Sequence, residues 1–152
     1  MDAEKTTIDH IDYVVEHMRQ ADVDEVVAAG HTPREALIIG MVSSDSCVTL
    51  LYNDIPVVIF GILSVTLLGN VGRPWLLGTT DAPKHRRAFA QLPKYYLDSM
   101  LEMYPVLENY VHVKNRVSVR WLKYLGFQFD EPVTLPNGEQ FIRFWMKRGD
   151  NV

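Results

Sequence analysis

The most informative segment of this chain is Asn115-Arg-Val-Ser-Val-Arg-Trp-Leu-Lys-Tyr-Leu-Gly-Phe127, which has the pattern of a strand end, a short amphipathic helix and a stop. Its apolar residues fall at spacings of three to five and predict one buried stripe, made of Val119, Leu122 and Leu125 or Phe127. Its cations lie off that stripe, at Arg116, Arg120 and Lys123. Because Gly126 can adopt the positive φ that closes a helix, we expect the chain to leave the helix there and to enter another strand.

Length and composition limit the class of protein. A chain of 152 residues has room for one domain, which we place at residues 1–152. The hydrophobic share of 47% and the charged share of 22% are ordinary for a globular protein and exclude a disordered chain. The net charge of -4 gives no overall basic field, so no nucleic-acid partner is expected, although a local basic patch stays open.

Cysteine usage and hydropathy exclude several further classes. The single cysteine, Cys47, excludes an internal disulfide and a cysteine-rich zinc site, and it favours a reducing compartment. The N-terminus is acidic and polar, whereas a secretory signal needs a positive start and an apolar core. The apolar run from Ile55 to Gly69 is shorter than the roughly 20 residues that cross a bilayer, so we interpret it as a buried strand. The histidines lack metal-ligand spacing, and we predict no metal site and no membrane partner.

The N-terminal third predicts a strand followed by two helices. The strand is expected around Tyr13 to Met18. The first helix follows from Arg19, where Asp22 can cap its start and Gly30 can end it. The second begins at Thr32-Pro33-Arg34-Glu35, which combines an N-cap hydroxyl, a proline at the first helical position and a glutamate that can return to the cap.

Three strands of a meander come next. Ser46 to Tyr52 and Ile55 to Leu67 are rich in β-branched and aliphatic residues. They flank Asn53-Asp54, two residues that tolerate the left-handed conformation of a tight hairpin turn. After a second turn at Gly69-Asn70, the segment Pro74 to Thr79 is predicted as the third strand.

The C-terminal half predicts a long helix from Asp81 to about Tyr104, interrupted by Pro93. Its sheet-facing residues would be Phe89, Leu92, Tyr96, Leu97, Met100 and Leu101. The remaining strands are Tyr110 to Lys114, Phe127 to Val133 and Gln140 to Lys147. The predicted order is β-α-α-β-β-β-α-β-α-β-β, an α/β (α+β) fold in which a mixed, mainly antiparallel sheet is flanked by helices.

This order, with an Asn-x-x-Ser helix that ends in Gly-Phe, resembles the GCN5-related N-acetyltransferase (GNAT) superfamily, whose members transfer an acyl group from coenzyme A to an amine. The resemblance spans nearly the whole chain, and Met18 to Glu25 is similar to the first strand-to-helix junction of the family. More narrowly, three features resemble the internal virion protein A group of short-tailed bacteriophages. They are Ser46 to Leu50, the Lys/Arg-rich third helix, and Asn109 to Val113.

The resemblance implies acetyl-CoA, or another acyl-CoA, as cofactor. In this fold the third meander strand and the strand after it splay apart, and their free backbone groups bind the pantetheine arm. The implied backbone here is Leu76-Leu77-Gly78-Thr79, with one N–H aimed at the thioester oxygen. Asn115 would donate a hydrogen bond to pantetheine, and Ser118 would lie beside it at the small-residue position.

The implied pyrophosphate site departs from the family pattern. GNAT enzymes bind pyrophosphate on a glycine-rich loop at the start of the third helix, where backbone N–H groups meet the phosphates. This chain has no glycine between Gly78 and Gly126. The phosphates would instead contact the side chains of Lys84-His85-Arg86-Arg87. The negative charge of Asp81 would oppose phosphate binding there. The alternative is a solvated first helical turn.

The implied catalytic residues depart as well. The family often places a tyrosine seven residues after the motif asparagine, as the acid that reprotonates the coenzyme thiolate, and here that residue is Leu122. Tyr124 is the candidate acid, but it lies about 200° further around the helix and cannot simply inherit the role. His112 is the candidate base, because an ordinary pKa of about 6.5 suits deprotonation of an amine. The alternative for His112 is a surface or network histidine.

Two functions therefore stay open. One is a phage-encoded acyl-CoA-dependent N-acyltransferase, whose acceptor is an amine on a small molecule or a protein. The other is a catalytically inactive assembly protein, an internal virion protein that contacts a virion or host protein. The missing glycines and Leu122 favour the second function, and the Asn115 helix favours the first. The expected location is the host cytoplasm or the virion interior.

Overall fold

The computed structural model describes residues 1–88 and 92–149. Within them the helices are α1 (Ile8–His17), α2 (Gln20–Ala28), α3 (Pro33–Ser43), α4 (Leu92–Met103) and α5 (Arg116–Tyr124), with a short 3-10 helix at Ala82–His85. The strands are β1 (Asp2–Lys5), β2 (Ser46–Tyr52), β3 (Ile55–Ser64), β4 (Val71–Gly78), β5 (Val106–His112), β6 (Gln128–Phe129), β7 (Val133–Thr134) and β8 (Gln140–Lys147). This is the predicted α/β fold with a mostly antiparallel sheet.

The chain divides into two compact units. The first contains Met1–Leu63 and Trp75–Gln91, and the second contains Ser64–Pro74 and Leu92–Val152. The strand order is β1-β2-β3-β4 in the first unit and β4-β5-β8-β6 in the second, where β7 pairs with β8. Strand β4 thus contributes its second half to the first unit and its first half to the second.

The β2–β3 hairpin of the first unit forms as predicted. Both turn residues, Asn53 and Asp54, have positive φ angles of 50° and 65°. Their conformation sets a register that runs from Tyr52 opposite Ile55 to Ser46 opposite Ile62. Strand β1 was not predicted, because its residues are all exposed and show no apolar alternation; it adds to the free edge of β2.

The helices of the first unit confirm one prediction and correct another. Thr32 and Glu35 form the expected capping box, with the Glu35 N–H 3.2 Å from the Thr32 hydroxyl oxygen. The strand predicted at Tyr13 to Met18 is wrong, because this segment belongs mainly to helix α1. Ile11 and Val14, three residues apart, are both fully buried in a core that includes Met18, Val26, Leu37, Ile59 and Leu77. Each such side chain contributes roughly 1.5–3 kcal/mol by burial, which favours the helical spacing over strand alternation.

The second unit is built around the β5–β8 ladder. Its register runs from Val106 opposite Lys147 to His112 opposite Phe141, so β5 begins four residues before the predicted strand. Helix α5 buries Leu122, and Gly126 closes it with a φ of 101°, as predicted. The predicted sheet-facing residues Leu97, Met100 and Leu101 are buried, whereas Phe89 and the side chain of Leu92 lie outside the described residues. None of the described helices is long and apolar enough to span a membrane.

Candidate functional site

Strand β4 presents its backbone groups alternately to two edges. The Val71 carbonyl accepts a hydrogen bond from Val65 N–H at 3.0 Å, and Thr79 N–H donates to the Val57 carbonyl at 2.9 Å. Since strand residues alternate, the odd-numbered positions of β4 face β3 and the even-numbered positions face the other way. We call the second side, which consists of Gly72, Pro74, Leu76 and Gly78, the outer edge of β4.

The end of the outer edge at Gly78 is already occupied. The Gly78 N–H donates to the Asp22 carboxylate at 2.9 Å, and the Gly78 carbonyl accepts from Arg19 N–H at 3.0 Å. Asp22 is only 1% exposed and also accepts a hydrogen bond from the Arg19 guanidinium at 3.2 Å. A buried carboxylate needs such partners, because unpaired burial of a charge is costly. Asp22 therefore holds Gly78. The prediction that Asp22 caps α2 is wrong, because the N-cap residue is Arg19.

Fewer backbone groups than predicted are therefore available to bind pantetheine. Both the N–H and the hydroxyl of Thr79 donate to the Val57 carbonyl, each at 2.9 Å. The prediction that Gly78 and Thr79 offer free backbone groups is wrong, because their N–H groups already have partners within the first unit. By the same alternation, the backbone N–H and carbonyl of Leu77 point toward β3 and not toward the outer edge.

The first half of the outer edge is occupied within the second unit. Gly72 pairs with Leu107 of β5, and the recorded register between these strands comprises this pair and Val71 with Val106. Beyond it, the Asn109 side-chain amide donates to the Pro74 carbonyl at 2.8 Å. Proline has no N–H to offer. Leu76 lies on this edge between Pro74 and Gly78.

In the segment predicted to bind pyrophosphate, the Lys84 charge is paired with the Asp81 carboxylate of the same segment. The Lys84 ammonium lies 2.9 Å from the Asp81 carboxylate, and this hydrogen bond lowers the pKa of Asp81. The His85 ring packs against Tyr52, with ring centroids 4.3 Å apart. A shallow cleft of about 380 Å³ is lined by Tyr52, Pro83, Lys84, His85, Arg86, Arg87 and Ala88.

The backbone of this segment is not the predicted long helix. Its described part forms a 3-10 helix of four residues at Ala82–His85, and α4 runs from Leu92 to Met103, whereas residues 89–91 of the predicted helix lie outside the described residues. A four-residue turn carries almost no macrodipole, since the dipole of a helix is the sum over its aligned peptides. The exposed cations Lys84, Arg86 and Arg87 thus lack the helix N-terminus that the family uses to bind phosphates.

His112, the predicted base, is in hydrogen-bond contact with Glu139. Its side chain is almost fully buried, and its Nε2 atom lies 2.6 Å from the Glu139 carboxylate. The neighbouring Phe141 ring is centred 5.2 Å from the imidazole. Nε2 can accept a proton from an amine only after this contact breaks. The geometry supports the alternative that His112 is a network histidine.

The residues predicted on the motif helix are not brought together at one surface. Asn115 is buried at the N-cap position of α5, where its carbonyl accepts from Val119 N–H at 3.1 Å, and Ser118 is half-buried. Leu122, at the tyrosine position of the family, faces the core. Tyr124 is 84% exposed at the last position of the helix, so it is not placed as an acid beside the buried His112.

Sequence reasoning missed the residues that occupy the outer edge. The predicted cap Asp22 precedes the buried Val26 by four residues and therefore lies on the core face of α2. That spacing is the signal that could have revealed it. Asn109 and Glu139 carry no comparable local signal, because their partners Pro74 and His112 are 35 and 27 residues away.

Comparison with solved structures agrees with this architecture. The chain is similar to smu.2055 from Streptococcus mutans UA159 (TM-score 0.71, 15% identity, 97% of this chain and 99% of that chain). It is also similar to Ard1 from Thermoplasma volcanium (0.73, 14%, 96% and 96%) and to aminoglycoside 6'-acetyltransferase type Ii (0.70, 11%, 97% and 97%). At these identities the likeness establishes the fold alone, which is the GNAT acetyltransferase fold.

Sequence comparison gives a closer relationship. A family model described as "Bacteriophage T7, probable scaffold protein Gp13" matches residues 60–134. The probable scaffold protein gp13 of Escherichia phage T7 is 32% identical over 140 residues, which cover 86% of this chain and 94% of that protein. The chain belongs to the phage T7 scaffold protein gp13 family. The resemblance to phage proteins is thus confirmed at the level of this family, whose description speaks of a scaffold and does not name internal virion protein A.

The acyl-CoA used by acetyltransferases of this fold does not fit the residues of this gp13-family chain. Gly78 N–H, which would bind pantetheine, is held by Asp22, and the position of the glycine-rich loop carries Lys84 paired to Asp81. Among residues 1–88 and 92–149, no group of three or more His, Cys, Asp or Glu side chains is arranged to hold a metal ion.

Proposed function

We propose that this chain is a phage assembly protein that uses the GNAT fold as a structural body and does not transfer acyl groups. The observation that carries the proposal is the occupied outer edge of β4, where Asp22 and Arg19 hold Gly78 and Asn109 holds the Pro74 carbonyl. An arm of coenzyme A would have to displace a buried carboxylate from both of its partners. Such a displacement would leave an uncompensated buried charge, at a cost of about 3 kcal/mol or more.

The family relationship supports the assembly role. The relative in Escherichia phage T7 is named a probable scaffold protein, and it matches this chain over 94% of its own length. We extend that role to this chain, with a virion protein as partner. Its location would be the host cytoplasm during assembly and the interior of the virion or its precursor afterwards.

A second candidate function is the acyl-CoA-dependent N-acyltransferase. Leu76 favours it, because this exposed residue lies on the outer edge between the two occupied positions and its N–H could face a thioester oxygen. One such donor is worth about 10² to 10³ in rate. A missing general acid would reduce the rate by about 10² to 10⁴ without abolishing it.

Calorimetric titration with acetyl-CoA separates the two functions. For the assembly protein we expect no binding heat, and the Lys84→Ala/Arg86→Ala variant should behave like the wild type. Aminoglycoside 6'-acetyltransferase type Ii, titrated in parallel, is the positive control. Micromolar binding that weakens in the double variant would establish the acyltransferase and refute the proposal.

The assembly role needs its own measurement. Capsid precursors and virions from infected cells should contain this chain in a fixed ratio to the capsid protein, as quantified by mass spectrometry. Infection with a phage that lacks the chain should yield fewer complete particles. Normal particle yield, together with absence of the chain from precursors and virions, would contradict the role.

A further inference from the structure

We infer that the exposed face of helix α5 is a docking surface for a second copy of this chain, and that it binds the acidic N-terminal helices of that copy. This face consists of Val117, Trp121 and Tyr124, with Arg116, Arg120 and Lys123 along its side. The inference deepens the proposed assembly function, because it supplies the contact through which copies would associate. Both the α5 face and the N-terminal helices α1 and α3 expose apolar or charged side chains, and their charges are opposite in sign.

The apolar part of the α5 face is one continuous stripe. Val117, Trp121 and Tyr124 are spaced at i, i+4 and i+7, which places them on one side of the helix, away from the buried Leu122. All three are exposed, Val117 by 52% and Tyr124 by 84%. Single exposed apolar residues are normal, but an aligned set that includes Trp and Tyr is typical of a protein interface.

The charge of α5 selects the partner. The helix carries three cations and no carboxylate, in a chain whose net charge is -4. The cations border the apolar stripe, since Arg120 precedes Tyr124 by four positions and Arg116 precedes Arg120 by four. Two α5 faces would therefore repel one another, and the complementary surface must be acidic.

The N-terminal helices of a second copy offer such a surface. The first 45 residues contain ten Asp or Glu residues against three Lys or Arg residues. Helix α1 exposes Asp9 and Glu16 on one side, while Asp12 between them is paired with Arg34. Helix α3 exposes apolar side chains three residues apart, Ile39 by 49% and Val42 by 75%. An acidic helix side and unpartnered apolar residues are what the α5 face requires.

Nucleic acid is the rival occupant, because three cations and two aromatic rings would also attract a polyanion. The chain offers few cations for phosphates on this helix, and Lys123 lies over the Phe129 ring at 5.5 Å. A phosphate backbone would leave Val117 and the apolar part of the stripe exposed. A protein surface with both acids and apolar residues satisfies the whole face.

The contact is heterologous, since the α5 face of one copy binds a different surface on the next. Such contacts produce rings when the rotation closes and open chains when it does not. Either product suits a protein that organises other components into a particle. The geometry also provides a test, because every contact needs one intact surface from each copy.

Sedimentation equilibrium of the full chain is the first test. We expect the wild type to associate at low salt and to dissociate as salt rises, since exposed charges are screened. Trp121→Ser/Tyr124→Ser should weaken association by about tenfold or more, as loss of aromatic contacts does at interfaces. The control is Tyr95→Ser, which removes an exposed tyrosine from α4 and should leave association unchanged. Unchanged thermal unfolding by circular dichroism verifies that each variant is folded.

Mixing two variants is the second test. Trp121→Ser/Tyr124→Ser has a damaged α5 face, and Ile39→Ser/Val42→Ser has a damaged acceptor surface, so each alone should be monomeric. Their mixture retains one intact contact and should form a one-to-one dimer that grows no further. A wild type that stays monomeric at low salt, or a mixture that stays monomeric, would overturn the inference.

A third measurement decides against nucleic acid. Binding of a duplex DNA oligonucleotide should be no stronger for the wild type than for Arg116→Ala/Arg120→Ala. DNA binding that is lost in this variant, with the wild type monomeric, would overturn the inference in favour of nucleic acid. A monomeric chain that binds no acetyl-CoA and is found in capsid precursors would refute only the docking inference and leave the proposed function intact.

Discussion

The Asp22 carboxylate accepts a 2.9 Å hydrogen bond from the Gly78 N–H, joining two positions that lie 56 residues apart in the chain. The same carboxylate is paired with the Arg19 guanidinium and is excluded from solvent. One side chain therefore links α2 to the end of β4. In doing so it occupies the backbone group that an acetyltransferase of this fold would offer to its cofactor.

The Asp22 contact is expected to contribute strongly to stability. Asp22→Ala leaves the Gly78 N–H and the Arg19 side chain without their partner, and we expect it to lower the free energy of unfolding by about 3 kcal/mol. Urea unfolding followed by circular dichroism measures the change. Asp24→Ala is the matched control, since Asp24 is exposed and accepts a hydrogen bond from Gln20, and it should change stability by less than about 0.5 kcal/mol. Equal unfolding midpoints for the two variants would contradict the assigned role of Asp22.

Gly40 is expected to be required by the Trp75 side chain. A Cβ atom at Gly40 would lie 2.5 Å from Trp75 Cζ2, while the Trp75 indole N–H donates to the Ser44 hydroxyl at 2.8 Å. Gly40→Ala should therefore destabilise the protein by about 1–3 kcal/mol, although the same change in an open helix is stabilising by about 1 kcal/mol.

A double-mutant cycle checks the Gly40 prediction. If the Trp75 ring is the cause, Gly40→Ala should cost much less in a Trp75→Leu background, because the smaller side chain leaves room for the methyl group. Thermal or urea unfolding of the four proteins gives the coupling energy. Additive effects would show that contact with Trp75 is not the cause.

Asp130 is expected to make stability depend on pH. Its carboxylate accepts hydrogen bonds from the Trp145 indole at 3.0 Å and the Arg143 guanidinium at 2.9 Å, and these hold its pKa below the ordinary value of 3.8. A pKa that is lower in the folded chain adds stability above the unfolded value, and this part is lost as the pH falls through the folded value. The free energy of unfolding should thus decrease below about pH 4, and it should decrease less in Asp130→Asn.

Urea midpoints measured across the acidic range test the Asp130 prediction. Asp98→Asn, at an exposed position of α4, is the control and should retain the wild-type dependence. If Asp130→Asn and the wild type lose stability in parallel as the pH falls, the Trp145 and Arg143 contacts do not act on the carboxyl as described.

Cys47 is expected to react slowly with thiol reagents. Burial raises the pKa of its thiol, although a hydrogen bond to the Thr6 hydroxyl acts in the opposite direction. Since the thiolate is the reactive form, iodoacetamide near neutral pH should modify the folded chain more slowly than the urea-unfolded chain, by about tenfold or more. Equal rates in the two states, measured by mass spectrometry, would disprove the prediction.

Local signals were sufficient for three features whose interacting groups lie within a few residues of one another. The Thr32 and Glu35 capping box, the Asn53-Asp54 turn and the Gly126 helix stop all formed as predicted, because each depends on backbone conformation and hydrogen bonds within a few residues. The order of elements from Thr32 to Phe127 followed from these signals and from apolar spacing, whereas the GNAT fold followed from the resemblance to that superfamily. The segment at Tyr13 failed, because a short apolar run has no decisive period until it is packed.

The sequence determined the fold class through its resemblance to the GNAT superfamily, and it also determined the lack of glycine between Gly78 and Gly126 and the leucine at position 122. Only the tertiary structure decided that Asp22 holds Gly78, that Glu139 holds His112, and that Tyr124 lies in solvent. The reason is physical: a buried polar group binds whichever partner the packed chain brings within about 3 Å, and here Gly78 and Glu139 lie 56 and 27 residues from Asp22 and His112.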